Sequence, residues 1–152
     1  RVAEVPVVGE LARRALTPKL ARAAMPAVIK TMFEPAPVTP TFAQEFCVAR
    51  ATRPSQLSAI AQDSEAVTPA IARLAPAYAD LTCPVTVVAG SGDAVLDPQA
   101  HSVRFAQAVP HARLTMLPAG HMVHHTLPED VAAAIRDTAV SRAAASDQGR
   151  PS

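Results

Sequence analysis

Two polar residues, Asp93 and His121, stand at the places where an open sheet can use them. Asp93 ends the segment Gly90-Ser91-Gly92-Asp93, and His121 ends Pro118-Ala119-Gly120-His121. Each follows a short apolar run, PVTVVAG over residues 84–90 and ARLTML over residues 112–117. In open α/β sheets, ligands and catalytic groups gather beyond the carboxyl ends of the strands. The two residues are 28 positions apart (93 to 121), about one strand–helix–strand unit. Neighbouring parallel strands run about 4.8 Å apart, so loops leaving both at the same end can set a carboxylate against an imidazole. A carboxylate that accepts a hydrogen bond from one imidazole nitrogen fixes the tautomer and stabilises the imidazolium. The other nitrogen is then free to take a proton from a hydroxyl.

Other residues compete for these roles. Asp93 alone is also ordinary turn chemistry after a strand. Asp97 is a rival carboxylate, but it precedes Pro98, where helix capping is the expected role. His124 and His125 invite a metal site with His121. Zinc wants three or four ligands, and no Cys or Glu spacing completes such a set, so no metal is expected. Cys47 and Cys83 are far apart, without CxxC spacing, and are expected to be buried small hydrophobes. Tyr78 is the sole tyrosine.

The elements that must position the pair read as two textures with a boundary near Asp80. Residues 1–80 form short helices broken by prolines. A first is expected over 8–16, with Val8, Leu11, Ala12 and Ala15 on one face. A second opens at Thr17-Pro18, a cap followed by proline at the first helical position, with Leu20, Ala24, Val28 and Met32 aligned. The proline-rich segment 34–40 cannot be helical. A third helix is expected over 41–51, with Thr41 and Gln44 at capping-box spacing, a fourth from Pro54, and a fifth over 67–78. Residues 81–152 alternate strand and helix. One helix runs from Asp97-Pro98 to about Val109. Another opens at Pro128-Glu129-Asp130, with acids in the first turn where the helix dipole favours them and Val131, Ala134, Ile135 and Thr138 on one face. The tail 141–152 is rich in Ala and Ser and is expected to fray. This order implies parallel strands joined by a helical crossover. Two strands are too few for an independent sheet, so the sequence describes the edge of a larger one.

Composition narrows the classes. Apolar residues make up 49% of the 152 residues but aromatics only 3%, so the core is expected from Ala, Val and Leu rather than rings. The net charge of +1 comes from 14 basic and 13 acidic residues. The charges are scattered, whereas nucleic-acid binding wants a concentrated basic face. No apolar run reaches the roughly 18 residues of a membrane span. The opening residues carry no positive-then-apolar leader; the compartment stays open, with the cytoplasm favoured.

Residues 81–135 resemble the C-terminal third of an α/β-hydrolase. The matching pieces are Cys83-Pro84-Val85 before the strand, Gly90-x-x-Asp93 after it, Asp97-Pro98, Val109-Pro110, Leu117-Pro118, Gly120-His121 and Pro128-Glu129. The resemblance implies an α/β fold: a helical cap over residues 1–80, then two parallel strands with flanking helices over 81–140. It also implies Asp93 as triad acid and His121 as general base, in the family's chain order. No cofactor is implied. A hydrophobic small-molecule substrate is, because lids of this family contact apolar substrate parts and Met25, Met32, Phe33, Phe42 and Phe46 fall in the cap; gluing the cap helices together is an equal use for them. Epoxide hydrolases of this fold use a pair of lid tyrosines, which a single Tyr78 does not supply. The family's G-x-S-x-G nucleophile elbow is absent. Ser91 lies between Gly90 and Gly92 without the elbow spacing. The 152 residues by themselves are therefore not expected to hydrolyse an ester. The expectation is a serine ester hydrolase portion that supplies acid and base. The alternatives are a non-catalytic remnant that binds a ligand or protein and, last, a Rossmann-type binder, which lacks G-x-G-x-x-G.

Overall fold

A computed structural model describes the backbone of residues 6–148 and the side chains of residues 17–141. The chain is helix-rich, with a small parallel sheet of two strands. Among the described residues up to Asp80 there is no strand.

Helix α1 runs over Pro6–Phe33 without the break expected at Thr17-Pro18, and Pro18 and Pro26 both lie inside it. Each interior proline removes one helical donor. The flanks are dense in Ala, Leu, Lys and Arg, the strongest helix formers, and they carry the helix across both positions. The face expected over residues 8–16 lies outside the described side chains.

The expected third helix is instead two short ones, α2 (Pro40–Glu45) and α3 (Val48–Ala51). Phe46 and Cys47 separate them in extended conformation. The capping box at Thr41 and Gln44 does not form. The helix begins one residue earlier, with Thr39 in the cap position and no side-chain cap hydrogen bond. The expected fourth and fifth helices merge into α4 (Pro54–Leu74), which contains Pro69 and gives way to a 3₁₀ turn over Ala75–Asp80.

Strands β1 (Thr86–Gly90) and β2 (Arg113–Leu117) pair in parallel, in register from Thr86 opposite Arg113 to Gly90 opposite Leu117. The crossover is a π-helical turn, Gln99–Val103, continuing into α5 (Arg104–Ala108). A single regular helix was the expectation. Below the strands, His111 Nε2 donates to the Cys83 carbonyl at 2.7 Å, joining the two approaches to the sheet. After β2 come α6 (Val123–Thr126) and α7 (Pro128–Gln148). Helix α7 continues through residues expected to fray; residues 149–152 lie outside the described residues. The Thr138 and Thr86 hydroxyls lie 2.6 Å apart, tying α7 to β1.

Among the described side chains the buried apolar core is small and, apart from Ala89 of β1 and Val109 at the end of α5, sits where α1 meets the loops beyond the sheet. It consists of Phe33, Ala89, Val109, Ala119, Met122 and Val123. The expectation of an Ala, Val and Leu core is thus only half right. An aromatic ring and a methionine enter it, no described leucine does, and Leu20 and Leu74 are exposed. Cys47 and Cys83, expected to be buried, are both exposed and free. The helical half offers too little covered surface to hide them or its own leucines.

Candidate functional site

Parallel pairing brings the carboxyl ends of β1 and β2 side by side, and both site residues leave from there. Several contacts lock the two loops together. Ser91 N donates to Leu117 O at 2.8 Å, and Gly92 N donates to Ala119 O at 2.9 Å. Gly90 has no Cβ, and the carbonyls of Ala119 and Gly120 occupy the space where one would stand. A side chain at position 90 would drive the loops apart.

Across this junction His121 Nδ1 donates to Asp93 Oδ2 at 2.9 Å. The other carboxylate oxygen, Oδ1, accepts from the backbone N–H of Val95 at 2.8 Å and of Leu96 at 3.0 Å. Asp93 therefore makes both the turn contact and the imidazole contact. One oxygen closes its own turn, and that turn aims the other oxygen at the imidazole. The Asp93 side chain is 13% exposed and that of His121 is 29% exposed. Burial alone would raise the Asp93 carboxyl. The hydrogen bonds from Leu96, His121 and Val95, with the imidazolium charge, outweigh it and hold the group below the usual aspartate range. No hydrogen bond to His121 Nε2 forms among the described residues, so this nitrogen keeps a free lone pair when Nδ1 carries the proton.

Asp97 does not join the pair. Its Oδ1 accepts from Gln99 N at 2.9 Å, a helix-capping bond. The His124 and His125 rings lie tilted against each other, with centroids 4.5 Å apart. Burial, with the charges of His125 and His121, pushes the His124 imidazole below its ordinary value. Among the described residues no group of three His, Cys, Asp or Glu side chains comes close enough to hold a metal ion. Ser91 is exposed on the turn before Asp93.

His125 has a partner that sequence spacing did not reveal. Its ring lies edge-on to Phe42 at 5.1 Å and tilted to Phe33 at 5.9 Å. Phe42 packs on Phe33 at 5.0 Å and stacks on Phe46 at 4.9 Å. These rings join the helical half to the segment that follows His121. The contact spans some 80 residues of sequence (42 to 125), beyond any local periodicity. Tyr78 makes a second link, packing on Phe105 of α5 at 4.9 Å.

Large apolar residues are exposed along α1 and α4, among them Leu20, Val28, Ile60 and Ile71, and also in two places near the sheet. Val95 and Leu96, beside Asp93, are nearly half exposed. A groove of about 670 Å³ between β1 and α7 is lined by Val85, Val88, Val131 and Ile135 among others, and by neither member of the pair. No helix among the described residues is long and apolar enough to cross a membrane. No protein-family model, curated protein or solved structure matches this chain.

Proposed function

We propose that this chain supplies the acid and the general base of a hydrolase of α/β-hydrolase fold, acting as a serine ester hydrolase whose nucleophile lies outside these 152 residues. One observation carries the reading: the 2.9 Å bond from His121 Nδ1 to Asp93 Oδ2, formed beyond the carboxyl ends of two adjacent parallel strands. Residues 1–80 serve in this reading as the cap.

The chemistry follows from the two nitrogens. With Nδ1–H held by Asp93, Nε2 takes the proton of a serine hydroxyl as its oxygen attacks the ester carbonyl. The carboxylate stabilises the resulting imidazolium. Nε2 then returns the proton to the departing alkoxide, and a water molecule repeats the sequence to release the acid. No cofactor is needed. Val95 and Leu96, exposed beside the acid, favour an apolar substrate of small size.

The test is the coding sequence upstream of the Arg1 codon, followed by kinetics of the protein it encodes. A frame that encodes G-x-S-x-G supports the reading, and an aspartate at the elbow moves it to dehalogenase-type chemistry. In that longer protein His121→Ala should lower kcat by several orders of magnitude with the fold intact. Near-normal turnover would refute the assignment.

A second reading, a non-catalytic binding remnant, draws support from the apolar β1–α7 groove. It requires the 152-residue chain to melt cooperatively as a stable species. The first reading expects no sharp transition and strong binding of hydrophobic dyes.

A further inference from the structure

The loops that carry Asp93 and His121 touch not only each other but also one turn of the helical half. Residues 32–35, at the end of α1 and just beyond it, meet both. Met122 N, the residue after His121, donates to Met32 O at 3.1 Å. Gly120, the residue before His121, lies so close to the Glu34 carbonyl that a Cβ at position 120 would collide with that oxygen. Gly92, the residue before Asp93, faces the Pro35 ring; a Cβ there would stand 2.9 Å from Pro35 Cδ and 3.4 Å from Cγ. The turn is itself anchored. Phe33 at its centre is fully buried and packs against Phe42 and His125.

We infer that the turn over residues 32–35 is a positioning element for the Asp93–His121 pair, with the Glu34 carbonyl and the Pro35 ring setting the separation of the two loops. The inference rests on the acid–base reading above and extends it to residues that touch neither the substrate nor the reacting atoms. The physical case is steric. A 2.9 Å hydrogen bond between side chains on different loops tolerates little drift before it weakens. Here the residues adjoining both partners are pressed against one rigid surface, and two of those neighbours are glycines, the only residues that permit the approach. In close-packed interiors, displacements pass on rather than dissipate. A methyl group at position 92 or 120 therefore pushes a loop away from the turn and opens the pair.

The experiment uses the whole 152-residue chain labelled with ¹⁵N. An imidazole N–H bonded to a carboxylate gives a far-downfield proton resonance, assigned here to His121 Nδ1–H by its loss in His121→Gln. Gly120→Ala should abolish that resonance, because the obstacle is backbone. Gly92→Ala should move it upfield and broaden it, because the obstacle is a proline ring that can shift by a few tenths of an ångström. Val109→Ala, which trims a buried side chain outside the turn, should leave the resonance in place. The slowly exchanging amides of the β1–β2 ladder report whether the sheet survives in each variant. If Gly120→Ala fails to fold, the milder Gly92→Ala decides. Wild-type resonances in both glycine variants would overturn the proposal, and so would an equal loss in Val109→Ala, which would reduce the turn to general support. A resonance absent from the unsubstituted chain would instead overturn the acid–base pair itself, before any substitution is made.

Discussion

Asp93→Asn isolates what the carboxylate does for the imidazole. The substitution keeps the side-chain shape. The amide oxygen can still accept from the backbone N–H groups of Val95 and Leu96, which donate to Oδ1 at 2.8 and 3.0 Å. The NH₂ group then takes the place of Oδ2 and faces His121 Nδ1. A donor there forbids a proton on Nδ1 and drives the ring to the Nε2–H tautomer. A hydrogen bond to a charged group contributes about 1.5–3 kcal/mol. The imidazole side chain is 29% exposed, so the lower part of that range, roughly 1.5–2 kcal/mol, applies. At about 1.4 kcal/mol per factor of ten, the carboxylate biases the neutral ring toward Nδ1–H by about 10- to 30-fold. Long-range ¹⁵N–¹H correlation spectra above the histidine titration range read the tautomer directly. The wild-type chain should show Nδ1–H in more than about nine-tenths of molecules by the same bias, and Asp93→Asn should show Nε2–H. On the proposed reading, the variant of the longer protein should lose about 10⁴-fold in kcat, the scale known for the equivalent change in a serine protease triad. A wild-type ring already in the Nε2–H form, or a tautomer unchanged by the substitution, would refute the reasoning.

Three further outcomes are expected. The Asp93 carboxyl is held below the usual aspartate range, so its contribution to stability is present above the unfolded value of about 3.9 and is lost as pH falls through the lower folded value; the Val95 and Leu96 amide shifts should titrate together, with a midpoint below about 3.9. In the longer protein of the proposed reading, Phe33→Ala removes a fully buried ring and should cost about 3–5 kcal/mol, enough to release α2 from α6, which circular dichroism in a denaturant series and loss of the His125 ring-current shifts would register together. Ile135 is 64% exposed at the β1–α7 groove, so Ile135→Glu should reduce binding of a hydrophobic dye; unchanged fluorescence would place the dye elsewhere.

The two strands and their parallel order were legible because local pattern and fold rules agree there. Val85, Val87 and Val88 favour a strand, and Gly90 and Pro118 mark where each strand stops. The Asp93–His121 contact was legible for the same reason, since it needs only that two neighbouring loops leave the sheet at one end. The helical half was not. Pro18, and Pro69 near the join of the expected fourth and fifth helices, look like breaks in a one-dimensional sequence, yet the helix on either side is strong enough to run through them. Conversely, Phe46-Cys47 carries no breaker and nonetheless interrupts the predicted third helix. A proline at position 40 and the packing of Phe42 set that segment's ends, and packing partners distant in sequence leave no periodic trace. The cluster of Phe33, Phe42 and His125, and the turn pressed on Gly92 and Gly120, belong to this class. A glycine's identity hints that something lies close, but not which segment it is.

On the proposed reading, the side from which a nucleophile reaches the pair follows from the ladder. The flanking bonds, Arg113 N to Val85 O and Ser91 N to Leu117 O, fix the alternation. Residues 85, 87, 89 and 91 turn their backbone groups to β2, and Thr86 and Val88 turn theirs to the opposite edge. That edge belongs to the more buried strand, and its Thr86 and Val88 side chains line the apolar groove under α7. The outer strand β2 begins with an exposed charge, Arg113, the kind of residue that natural sheets place on edges to discourage further pairing. A parallel sheet needs more than two strands to be stable, and an uncovered groove with Ile135 exposed is surface that a larger sheet would bury. In this proposed reading, the polypeptide that completes the sheet therefore fits against β1 rather than β2. On the proposed reading it is the same polypeptide that brings a serine to Nε2, so joining the sheet and completing the active site would be one event, and Val88→Pro, at a position whose N–H faces the open edge, should block both while leaving the β1–β2 pairing and the Asp93–His121 bond in place.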